Sequence, residues 1–260
     1  MRSKVGAGRN LKFERGVLNM SKLNQRLLGL VGAAFIAALT PVAAEAGTVV
    51  AVSGPSARSY PVGTQISNTQ RITLRSGDTV SVLDNGGTRV LRGPGTFMLG
   101  AQSSRAGSNA FAALTTQRAA VRARTGATRD PNNTGEPSNP NLYYVDLASA
   151  GTVCLPMGDK VVFWRKDTTS EAEFAVSGSD GAAFTLSFPE KEMIAAMPDD
   201  QALAGDAVLT ISGPALEQPT RINFVWLEAA PAEVEEAAQA FIANGCMAQL
   251  AQLTSAMSAS

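Results

Sequence analysis

Side chains able to do chemistry are few in this chain, and one type is missing altogether. The 260 residues include two cysteines and no histidine. Without an imidazole there is no Ser-His-Asp or Cys-His catalytic set, and the commonest transition-metal ligand is gone. Once the cysteines pair, a zinc site would rest on carboxylates alone, which zinc disfavours. Walker-type and dinucleotide loops are absent, because Gly93-Pro94-Gly95 lacks both a downstream lysine and a strand-to-helix setting. The expectation is a non-enzyme with no cofactor, no metal and no catalytic residue.

Weaker constellations remain. Asp199, Asp200 and Asp206 offer oxygen ligands for calcium, but their spacing is not that of an EF-hand loop, and a solvated loop explains them better. Asp78, Asp84, Glu190 and Glu192 supply carboxylates of the kind glycosidases pair, yet each sits beside a turn signal and reads as structural. Trp164, Trp226 and Tyr143-Tyr144 would make an aromatic platform for a sugar ring. Because Trp226 shares a period-two face with Phe224 and Ile222, core packing is the simpler reading. Arg118, Arg122, Arg124 and Arg129 form a basic cluster with no acid before Asp130. Such a cluster grips an anion, for instance a phospholipid head group or an acidic polymer, or else is a solvated helix end or an ionic clamp onto the acidic second half of the chain. No aromatic residues interleave these arginines for base stacking, so nucleic acid is not expected.

Cys154 and Cys246 suggest one disulfide in an oxidising compartment. It would close a loop of about 92 residues, worth roughly 4–5 kcal/mol by the chain-entropy model. The chain start agrees with export. Lys22 and Arg26 precede an uncharged run of thirteen residues, 27–39, and Thr40-Pro41 breaks it. Ala44-Glu45-Ala46 is a small-x-small cleavage site before Gly47. Thirteen residues fall short of the ~20 that span a bilayer. The expectation is a cleavable signal peptide cut after Ala46 and a periplasmic mature chain with no transmembrane segment. Met20 is as good a start as Met1, so residues 1–19 are either a long basic lead or untranslated.

A formal charge of zero conceals a division. Residues 47–140 hold ten Arg, no Lys and four acids, for +6, whereas residues 141–260 hold five basic and sixteen acidic residues, for −11. The halves are expected to dock on each other or to face different partners.

The elements that carry these residues read as mainly β. Residues 72–97 hold three short β-runs, Ile72 to Leu74, Thr79 to Val82 and Thr88 to Leu91, separated by Ser76-Gly77-Asp78 and by the hairpin signal Asp84-Asn85-Gly86-Gly87. They are expected to pair as one meander. From Gly63 the pattern is G-x-x-I-x-x-x-x-x-I-T-L-x-x-G-D-x-V-x-V-L, continuing as G-T-R-V-L-x-G-P-G. Over residues 48–100 it resembles the FecR-type domain of exported bacterial proteins. Regulators of that family carry a cytoplasmic arm and a transmembrane helix that are not read here. The resemblance implies a small β-domain outside the inner membrane, not their regulatory mechanism.

Beyond it, a helix is expected over 109–124, capped by Ser108, with Phe111, Leu114, Arg118 and Val121 on one stripe. Residues 130–140, DPNNTGEPSNP, have the composition of a linker. Alternating runs at Val153–Leu155, Val161–Trp164, Phe174–Val176, Phe184–Phe188, Leu209–Ile211 and Ile222–Trp226 predict a β-sandwich or partly open barrel. After Pro231 the period becomes helical, with Val234, Ala238, Phe241 and Ile242 on one face and Asn244-Gly245 as a stop. This half, with its -NGC-xx-QL- ending, looks like the C-terminal part of exported alphaproteobacterial FecR-domain proteins, a likeness that implies no activity.

The expected organisation is a leader (1–46), a FecR-like β-domain (47–102), an arginine-rich helix (103–129), the linker (130–140), a β-sandwich-like domain (141–230) and a C-terminal helix stapled to it (231–260). The expected function is an exported, non-enzymatic interaction module. Its partner would be an envelope or inner-membrane protein, with binding of envelope polysaccharide or peptidoglycan as the alternative.

Overall fold

The computed structural model describes residues 45–100, 105–116, 138–201, 203, 205, 207–214 and 216–258. The expected leader up to Ala44, Arg118, Arg122, Arg124 and Arg129, most of the 130–140 stretch and Asp206 lie outside these residues. The protein is mainly β, and residues 42–260 form one compact unit.

The front of the unit is built from β1 (Glu45–Ser53), β2 (Gln65–Ser67), β3 (Arg71–Leu74), β4 (Thr79–Asp84), β5 (Gly87–Arg92) and β6 (Gly95–Met98). Four of these make an antiparallel sheet in the order β2-β1-β4-β5. Asn85-Gly86 closes the β4–β5 hairpin as expected, with Asp84 opposite Gly87. The single meander is corrected. β3 pairs with β6 instead of β4, in a separate two-stranded sheet. The cause is the turn at 75–78, where the Asp78 carboxylate accepts the N–H groups of Arg75 (2.5 Å) and Ser56 (2.8 Å) and turns the chain out of the first sheet. Ile72 and Leu74 then face Val49, Val80 and Val82 across a small core of their own.

Helix α1 (Arg105–Thr115) starts one turn earlier than expected, so Ser108 lies inside it and does not cap it. Arg105 and Ala106 are good helix formers and extend the start. Phe111 is buried and Leu114 packs on the core, as the stripe predicts; the expected continuation beyond Thr116 lies outside the described residues.

The back of the unit contains β7 (Tyr144–Asp146), β8 (Gly151–Pro156), β9 (Val162–Trp164), β10 (Ala172–Gly178), β11 (Ala183–Phe188), β12 (Ile194–Ala196), β13 (Val208–Ser212) and β14 (Thr220–Leu227). Two sheets form, β11-β10-β13-β14-β8 and β12-β9-β7, and they share one buried cluster in which Phe163 meets Phe184 at 6.5 Å between ring centres. The β14–β8 and β7–β9 pairings are parallel.

Two helices follow, α2 (Val234–Asn244) and α3 (Met247–Ser258). Pro231 precedes α2, whose N-cap position is Glu233, so the proline lies just ahead of the first turn instead of within it. Gly245 takes φ 73° and ends the helix in the left-handed conformation, as Asn-Gly predicts. Directly after it α3 runs for 12 residues. Val50 and Leu83 of the front sheet belong to the same buried cluster as Phe241, Leu253 and Met257, so the helices close both β-regions into one core. At the contact, a Cβ on Gly87 (φ 132°) would lie 2.9 Å from the Met257 carbonyl oxygen, and only glycine lets α3 come so close.

Candidate functional site

Of the carboxylates noted in the sequence, two are buried at turns and two form exposed ion pairs. Asp78 is 2% exposed and Asp84 7% exposed. Burial pushes the Asp78 pKa up, but hydrogen bonds from Ser56 and Arg75 outweigh it and hold the carboxyl below its ordinary value. Asp84 accepts from Gly86 N–H (2.7 Å) and pairs with Arg89 (2.6 Å). Glu190 pairs with Lys191 at 3.0 Å on the surface, and Asp199 pairs with Lys160 at 2.7 Å. Among the described residues no three Cys, Asp or Glu converge on a point that would hold a metal ion.

The aromatic residues separate onto different faces. Tyr143 lies in the main core, while Tyr144 and Trp164 lie with Met193 on the opposite face of the three-stranded sheet. Trp164 is 3% exposed, with its indole Nε1 unpartnered among the described residues. Trp226 is half-buried at the end of β14 and stacks on Phe224 at 6.2 Å. These rings do not gather into one platform.

Cys154 and Cys246 are paired at disulfide distance, with Cα atoms 5.9 Å apart. Beside them, the Gln249 side chain closes the outer edge of β8. Its Oε1 accepts the Cys154 N–H (2.7 Å), and its Nε2 donates to the carbonyls of Cys154 (2.8 Å) and Leu142 (2.7 Å). Gln249 was legible only as one polar residue on the buried face of α3, among Leu250, Leu253 and Met257. Arg165 is another functional-looking residue the pattern hid. Its guanidinium lies over the Phe188 ring (5.1 Å) and donates to the carbonyls of Pro189 (2.8 Å) and Glu192 (3.0 Å), fixing the 188–192 turn.

With β8 sealed, the other edge of the five-stranded sheet is β11. Its buried residues, Leu186 and Phe188, alternate with exposed Ala183, Thr185 and Ser187. The Gly178 N–H bonds to the Ala182 carbonyl, which sets the hydrogen-bond phase of the β10–β11 hairpin. By the antiparallel alternation, the backbone groups of Ala183, Thr185 and Ser187 therefore point away from β10. Among the described residues nothing pairs with them. Small polar side chains on an unpaired edge are what an incoming strand requires.

No family model matches this chain, and neither the curated proteins nor the solved structures contain a match.

Proposed function

We propose that the protein is an exported, non-enzymatic interaction module of the cell envelope, part of a FecR-like sensing or signalling system. The observation that carries this reading is the open edge of β11. An extended segment of a partner adds there as a sixth strand, gaining main-chain hydrogen bonds, with the acidic back half supplying charge selectivity. Export is supported by the thirteen-residue apolar run before Ala44-Glu45-Ala46 and by the paired cysteines. Among the described residues no helix is long and apolar enough to cross a membrane. The FecR-like reading rests on the glycine-spaced pattern of residues 63–95.

Crosslinking in cells followed by affinity capture from the envelope fraction tests the proposal. One membrane protein should dominate the eluate, and Thr185→Pro, which removes an outward N–H without touching the β10 pairing, should abolish its capture. Unchanged capture would exclude the β11 edge.

Binding of envelope polysaccharide or peptidoglycan is the second reading, favoured by the partly exposed Trp226–Phe224 stack. A glycan pull-down lost in a folded Trp226→Ala variant would support it.

A further inference from the structure

The outer face of the two-stranded β3–β6 sheet has a composition that neither its own core nor the β11 edge explains. Arg71 and Thr73 project from β3 on the side away from Ile72 and Leu74, and Arg75 follows directly at the strand's end; all three are exposed. Opposite them on β6, Met98 faces Arg71 and Thr96 faces Thr73. Met98 is 58% exposed, among the most exposed large apolar side chains of the described residues. The free side of β3 is closed by Tyr60, whose hydroxyl accepts the Thr73 N–H (3.0 Å), so this surface acts through its face and not its edge.

Charge on this face is unbalanced. In residues 47–100 the acids are Asp78 and Asp84, both buried and both spent on internal partners. Arg58, Arg71, Arg75 and Arg92 are exposed, and none has an ion-pair partner among the described residues. The segments that carry three of them are drawn together. The Asp78 carboxylate ties the Ser56 loop, which carries Arg58, to Arg75. Gly93, next to Arg92, packs so closely on Arg75 that a Cβ there would lie 1.9 Å from its carbonyl oxygen. The buried acid thus ties these segments together and feels the Arg75 charge, while no ion pair forms to these arginines among the described residues.

We propose that the outer face of β3–β6 docks on the anionic head groups of a lipid bilayer. Arg71 on β3 and Arg75 just beyond its end bind lipid phosphates, and Met98 enters the interface between them and the acyl region. The exposed apolar residue set among arginines favours a lipid surface over an acidic protein segment, which would leave Met98 without a partner. The acidic back half is repelled by the same surface, which orients the molecule with this face down and β11 free.

Co-sedimentation of the full chain, as isolated from cells, with vesicles of phosphatidylglycerol and phosphatidylethanolamine tests this, with phosphatidylcholine vesicles as the reference. The expected result is binding to the anionic vesicles that weakens with salt. Each arginine near the surface is worth about five-fold in partitioning, so Arg71→Gln with Arg75→Gln should reduce binding about twenty-five-fold. Met98→Ser should reduce it further, with circular dichroism unchanged for all variants. Equal binding to both vesicle types would overturn the proposal. So would anionic binding untouched by the arginine pair, which would place the contact on arginines elsewhere in the chain. Binding of soluble glycerol phosphate or polyglutamate without vesicle binding would assign the face to a free anion or an acidic protein and also reject it.

Discussion

Tyr143 shows how burial, more than charge, tunes a side chain in this protein. It is 1% exposed, and its hydroxyl has no hydrogen-bond partner among the described residues. Burial pushes the phenol up to about 12, with the Asp159 and Glu236 charges adding to the effect. The unfolded chain releases this proton near its ordinary value of 10.0, while the folded protein holds it to about 12. The resulting stability is full below pH 10 and is lost as pH rises through the window from 10 to 12. Tyr143→Phe should therefore match or exceed the native stability at pH 7, since a buried hydroxyl without a partner is a cost. It should also flatten the loss between pH 10 and 12. Urea titrations across that range check both, and a steep loss that persists in the variant would assign the alkaline sensitivity to another group.

At the scale of elements, the junction of β8 with α3 combines two kinds of constraint. The disulfide acts mainly on the unfolded chain, and its loss in Cys154→Ala with Cys246→Ala should cost about 2–5 kcal/mol. Gln249 acts on the folded state. Gln249→Leu keeps the volume but strands one buried N–H and two carbonyls, at about 1–3 kcal/mol each. Chemical denaturation should therefore show the single glutamine to be worth about as much as the disulfide. A loss below about 1 kcal/mol would mean that solvent reaches the β8 edge. This junction was only half legible from residue types. Two cysteines in an exported chain imply a bridge, but a glutamine on an apolar helix face has no predictable partner until the sheet edge arrives beside it.

The whole molecule is held together by α2 and α3, which bury Val50 and Leu83 of the front sheet together with residues of the back half. Polar contacts agree, with Thr48 donating to Glu235 (3.3 Å) and Thr88 to the Thr254 carbonyl (3.0 Å). Front and back should accordingly unfold as one unit. Hydrogen exchange should give β4 and β14 amides the same opening free energy. Earlier opening of β4 would make the front an independent domain. The charge split is compatible with this arrangement, since Glu235 of α2 accepts a hydrogen bond from Thr48 of the front sheet.

Sequence alone determined what local periodicity and turn chemistry encode. The mainly β character, the Asn85-Gly86 hairpin, the helical switch after Pro231 and the glycine stop at 245 all follow from side-chain spacing and backbone preference within a few residues. Only the tertiary structure decided which strands pair. β3 crosses to β6 because Asp78 takes one hydrogen bond from the N–H of Arg75, three residues away, and another from that of Ser56, 22 residues away. It also decided that Trp164 is inside, that Gln249 covers the Cys154 backbone of β8 while the β11 edge is unpaired among the described residues, and that Arg71 of β3 is exposed with no ion pair among them. Burial, edge and charge balance are properties of surfaces brought together from distant segments, and no local pattern carries them.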